Sequence, residues 1–193
     1  MDIMHLLVLN DLDLFIKIFT GKLDVYEPNN RASWDWAIFY CQAKLWSTHG
    51  ETVTKSVPFI PSCFRHAPWD PSKKLNSGFK AWEFQLYVYG LCPTLLRHLL
   101  PSRYWHHFCK LVAGIRILQR PRISKEELMS GHNLLMNFVH EFEEFYYQRM
   151  ESRIHFVCQS IHLLTHIAPE MFRVGLLACY AQWTLETAIG NLG

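Results

Sequence analysis

None of the six cysteines, Cys41, Cys63, Cys92, Cys109, Cys158 and Cys179, belongs to a C-x-x-C pair, so neither a zinc ribbon nor a redox dithiol is indicated. Thiols scattered in this way read as reduced and mostly buried. Charge of one sign is also scarce: 19 Lys+Arg against 17 Asp+Glu leave a formal charge of +2, far short of the basic excess of a stand-alone nucleic-acid binder. Any contact with DNA must then be local. No uninterrupted apolar run reaches the roughly 20 residues that span a bilayer. The apolar opening "MDIMHLLVLNDLDLFIKIF" has no basic start and is broken by Asp2, Asp11 and Asp13, so it does not read as a secretory signal. These absences predict a soluble, intracellular protein with no membrane partner. Low-complexity tracts and fixed-period repeats are missing too.

What the chain does have is apolar and aromatic side chains. Half of its 193 residues are hydrophobic, and seven Trp and thirteen Phe contribute to an aromatic share of 15%. That is enough for a sizeable core, with large rings filling gaps between helices. The expectation is a single helical region over residues 1–193 with a proline-rich connector at 58–78 inside it.

Periodicity supports a mainly α chain. Apolar side chains at Leu6, Leu9, Leu12, Phe15, Ile16 and Phe19 recur every three or four residues, and Gly21 supplies a stop. After the polar turn "KLDVYEPNNRAS", Ser33 precedes a second predicted helix over "WDWAIFYCQAKLWSTHG", with Trp36, Phe39, Tyr40 and Ala43 on one side and Gly50 closing it. The prolines of 58–78 remove amide donors, so this span reads as extended, with Phe59, Phe64 and Trp69 pinning it to the surface. "FKAWEFQLYVYGL" alternates like a strand, but Ala81, Trp82, Gln85 and Leu86 fit a helical face, and helix is preferred. Pro93 opens a short helix that Pro101 interrupts. "SRYWHHFCKLVAGIRILQ" then lines up Trp105, Phe108, Leu111, Val112 and Ile115 before Pro121 ends it. Ser124 and Glu127 form a capping box, ahead of Leu128, Leu135, Phe138, Val139, Phe142 and Tyr146 at helical spacing. A further helix over "IHFVCQSIHLLTHIA" stops near Pro169, and a last one covers "AQWTLETAIGNLG" with Gly190 near its end.

Several patterns invite a chemical reading. His155, His162 and His166 stand seven and then four residues apart, so a continuous helix would project all three from one face, as zinc ligands can be. Packed or hydrogen-bonded histidines are the favoured account, because no acidic residue or cysteine pair completes the set. His106 and His107 face two directions. Glu141, Glu143 and Glu144 read as a solvated face, and Arg103, Lys110, Arg116, Arg120 and Arg122 as a charged outer surface. Glu186 differs, since helical spacing puts it near Gln182, Trp183, Ile189 and Gly190, where an ionised carboxylate is costly unless a cation stabilises it. On the pattern alone, an edge glutamate paired with Arg or Lys remains the better account.

Longer runs carry more. "KLNSGFKAWEFQLYVYGLCPTLLRHLLPSRYWHHFCKLVAGIRILQRPRIS", "FVHEFEEFYYQR", "RIHFVCQSIHLLTHIAPE" and "QWTLETAIGNLG", with the opening "DIMHLLVLNDLDLFIKIFTGKLDVY", resemble the downstream half of fungal DNA transposases of the CACTA-like, Plavaka-type group. The resemblance covers nearly the whole chain. It implies a ribonuclease-H-like catalytic fold interrupted by a bundle-like helical insertion, with two Asp and one Glu holding paired Mg2+ ions for strand cleavage and transfer. Glu186 matches the third acidic residue, as catalytic group and metal ligand. Asp2 and His5 of "DIMH" match a supporting D-x-x-H element. Thr187 stands where an arginine is usual, and Val174 to Leu177 where a Gly-Pro is usual. On this alignment the chain starts downstream of both catalytic aspartates, and the catalytic sheet is largely absent. The expectation is a transposon-derived piece, inactive alone, whose intact relatives act on DNA in the nucleus. The alternatives are a retained helical interaction module that self-associates and a helical zinc enzyme built on His155, His162 and His166.

Overall fold

The computed structural model describes residues 6, 10–61, 68–74 and 81–177. Among them every regular element is helical, with no strand. The chain divides into two compact units, one of residues 12–105 and one joining residues 1–11 to residues 106–193.

In the first unit, residues 12–20 of helix α1 (Asp11–Thr20) bury Leu14, Phe15, Ile16, Ile18 and Phe19. It stops where the sequence indicated. Gly21 takes φ +65, a left-handed value that glycine adopts without a Cβ penalty. The Lys22 amide reaches back to the Lys17 carbonyl at 2.8 Å and the Gly21 amide to Ile18 at 3.2 Å, the pair of bonds that closes a Schellman end.

The second predicted helix is corrected at both ends. Residues Trp34 to Gln42 form successive turns, and α2 (Ala43–Ser56) begins only afterwards. Trp34 and Trp36 are both buried and stack at 5.7 Å, and two residues two apart cannot share one helical face. Ser33 caps nothing; its hydroxyl donates to the Asn30 carbonyl at 2.7 Å. The Phe39 amide is taken by the Phe19 carbonyl at 3.0 Å. Gly50 lies inside α2 and does not end it. A Cβ there would stand 1.9 Å from Asp70 Oδ1 and 2.8 Å from Ser72 Oγ, so this glycine permits close approach of another segment.

That segment carries a single helical turn, α3 (Pro71–Lys74), within the proline-rich span. Asp70 caps it, its Oδ1 accepting from the Ser72 amide at 2.9 Å and from the Ser72 hydroxyl at 2.6 Å, with Pro71 at the first position, where no amide is needed. The expected pinning by Phe59 fails, because that ring is 86% exposed; Phe64 lies outside the described residues. Helix does win over strand in the next stretch. Helix α4 (Ala81–Gln85) runs into a π turn (Leu86–Leu91) and on into α5 (Cys92–Leu95). Pro93 therefore does not open a separate helix. The wide turn before it, closed by the Cys92 amide on the Tyr87 carbonyl, leaves room for a ring that would otherwise meet the carbonyl four residues back.

In the second unit, residues 106–118 of α6 (Ser102–Leu118) bury Phe108, Leu111, Val112, Ile115 and Leu118. Helix α7 (Lys125–Phe142) starts on the predicted capping box, which is present in both directions, and buries Leu128, Leu135, Phe138 and Phe142. It continues as a π turn (Glu143–Tyr147) and stops at Gln148 and Arg149, both at positive φ. The two helices run antiparallel, pairing Lys110 with Glu141 and bringing Gly114 near Leu135 and Gly131 near Leu118.

The predicted continuous helix over 154–168 is broken. A 3-10 stretch (Glu151–Phe156) ends at Val157, Cys158 is extended, and α8 (Gln159–Leu163) then leads through a 3-10 turn (Leu164–His166) into α9 (Ile167–Val174). Pro169 does not stop a helix. It sits in the first turn of α9, where a missing amide leaves no bond unmade, and Gly175 at φ +98 ends the element instead.

Candidate functional site

The break at Val157 decides the histidine triplet. His155 lies on the 3-10 stretch, its ring edge-on to Phe156 at 4.8 Å. His162 and His166 lie beyond the break, exposed, with Nε2 atoms 3.1 Å apart. The structure thus brings two of the three together. No group of three or more potential metal ligands occurs among the described residues.

The charged surface is internally paired to a large extent. Arg103 reaches Asp35 at 2.5 Å, Lys110 is hydrogen-bonded to Glu141, and Arg120 meets Glu127 at 2.6 Å. Glu141 is therefore a half-buried partner joining α6 to α7, where the sequence suggested plain solvation; Glu144 does face solvent, 3.3 Å from His140. Asp35 also accepts from the Tyr104 hydroxyl at 2.5 Å, and burial together with that carboxylate pushes the phenol well above its ordinary range, in a ring packed edge-on against Trp36. Each pairing reduces the basic surface open to phosphates.

Among the buried titratable groups, sequence reasoning passed over His49 and Tyr87. His49 and Tyr87 are buried and share a hydrogen bond of 2.8 Å, while Trp46 stacks on the imidazole at 5.6 Å. Burial lowers the His49 pKa to about 4 against the opposing pull of Asp70, and burial lifts the neighbouring Cys92 thiol to about 12. A thiol so far from ionisation is not a nucleophile. In the other unit His107 donates its Nε2 proton to the Phe138 carbonyl at 2.9 Å and stacks on the Phe138 ring at 4.3 Å. Burial again lowers its pKa to about 4.

Asp11 is the most displaced carboxylate among the described residues. Fully buried, with no hydrogen bond of normal geometry to either oxygen, it is raised to about 7 by desolvation, opposed by the nearby Ser160 hydroxyl. A signal was available in the sequence, since Asp11 stands four residues before Phe15 and eight before Phe19, on the buried stripe of α1. The residues singled out by resemblance, Glu186, Asp2 and His5, lie outside the described residues. Comparison of the chain with family models, with curated proteins and with solved structures found no match.

Proposed function

We propose that this chain is the helical part of a cut-and-paste DNA transposase of the CACTA-like, Plavaka type. What supports the reading is the resemblance carried by the quoted sequence runs, which extend along nearly all 193 residues. The build of residues 81–177, whose regular elements are all helical, supports it. On this reading Glu186 is one of three carboxylate donors to a pair of Mg2+ ions that activate an attacking oxygen and stabilise the leaving one. Asp2 and His5 contribute a supporting element, and the whole enzyme acts on DNA in the nucleus. The resemblance gives no residue of this chain to the first two carboxylate positions. One carboxylate cannot hold two hard dications, so these residues alone do not cut DNA.

Two measurements test this. Purified chain incubated with supercoiled plasmid and Mg2+ is expected to leave it intact; nicking that vanishes on Glu186→Gln would overturn the claim of inactivity. Sequencing the genomic DNA before Met1 is expected to show an open frame with two aspartates on predicted strands, and an intact upstream frame without them would refute the lineage.

A non-enzymatic interaction module is favoured by one observation, the exposure of Ile154, Phe172 and Val174 in the second unit. Light scattering separates the readings: a discrete oligomer without DNA affinity supports the module.

A further inference from the structure

The exposed pair His162 and His166 belongs to neither proposal. Leu164, Ile161, Ile167 and Ala168 are buried, so the segment from α8 to α9 is fixed by its apolar side and holds both imidazoles on the opposite, open side. The rings are 4.9 Å apart at 75°, with both Nε2 atoms turned inward to a separation of 3.1 Å. That separation has chemical content. With metal–nitrogen bonds of about 2.0–2.1 Å, a 3.1 Å bite gives an N–metal–N angle of about 95–102°. The value falls between the right angle of octahedral coordination and the tetrahedral angle of about 109°.

We propose that His162 and His166 form a two-nitrogen chelating site for a borderline transition-metal dication of the zinc or nickel class, with water filling its remaining positions. In the ion-free state a hydrogen bond joins the two nitrogens. The metal takes its place, each ring then carrying its proton on Nδ1, so a neutral pair exchanges tautomers with solvent and loses no proton overall. Imidazole suits these metals and not Mg2+, which prefers oxygen, so the site is chemically separate from one built on Glu186. Cys158 and Glu170 stand one turn to either side at the same four-residue spacing, but both are engaged elsewhere. The Cys158 sulfur faces the Ser160 hydroxyl at 3.0 Å, and Glu170 is paired with Arg173 at 2.9 Å. The protein therefore contributes two donors, and exposure leaves the ion free access.

The test is calorimetric titration of the untagged full chain, stripped with chelator, with Zn2+ and separately with Ni2+. One ion per chain is expected, with affinity reduced at least tenfold in His162→Ala and in His166→Ala and unchanged in His155→Ala. Circular dichroism is expected to match wild type, since both side chains are exposed. Binding undiminished in the His162→Ala/His166→Ala double variant, or none up to about 1 mM metal, a millimolar Kd being only about 4 kcal/mol of binding, would overturn the proposal.

Discussion

Asp11 ties a single side chain to a measurable pH dependence. Its pKa is raised from 3.8 to about 7, so between those values the folded state holds a proton that the unfolded state has released. Stability is then highest, as far as this group is concerned, below about pH 4, and falls as pH rises through 7. Asp11→Asn cannot ionise. It is expected to stabilise the fold at pH 8 by at most about 4 kcal/mol, read as a higher melting temperature, and to change little at pH 4. An equal change at both values would show that burial of charge is not the cause. His49 and His107 act oppositely, with pKa values lowered to about 4. Their contribution is complete above the unfolded value of about 6.5 and is lost as pH falls toward 4. In urea titrations from pH 7.5 to 4.5, His107→Gln should flatten the acid-side loss relative to wild type, whatever its effect at neutral pH. None of these roles was legible from residue type, because burial depends on what packs over the side chain.

Helix ends and crossings were unequally legible. The Gly21 stop and the Ser124–Glu127 box rest on neighbours within a few residues, and both occur as expected. Ser124→Ala should therefore cost about 1 kcal/mol, read as a lower urea midpoint at unchanged m-value. Glycines inside helices deceive, since their reason lies on another element. A Cβ on Gly131 would meet Leu118 Cδ2 at 2.9 Å and Ile117 Cγ2 at 3.3 Å. Gly131→Ala should accordingly destabilise the α6–α7 pair by about 1–3 kcal/mol through overpacking, despite a helix-propensity gain of up to about 1 kcal/mol; a net stabilisation would place the helices further apart than described. Pro169 misleads in the opposite sense, opening α9 where a stop was expected. The His162–His166 spacing was legible because it is local, whereas His155 was lost from the set when the chain turned at Val157.

For the whole molecule, the formal charge of +2 and the pairing of Arg103, Lys110 and Arg120 with acids predict weak attraction to polyanions. Fluorescence anisotropy with a labelled duplex at physiological salt should give only non-specific affinity, a Kd of about 10⁻⁶ M or weaker; nanomolar binding would reveal a basic surface that these ion pairs do not suggest. No described helix is long and apolar enough to cross a membrane. The sequence by itself determined the helical class, the position of α7, and the Gly21 stop and Ser124–Glu127 cap, because a 3.6-residue period and an orphan amide are satisfied by neighbours in the chain. Only tertiary structure decided that Trp34 to Gln42 turns instead of coiling, that Gly50 and Gly131 are contact points, and that His49 and His107 are core residues. Those outcomes depend on the space and charge supplied by segments far away in sequence, which no local pattern encodes.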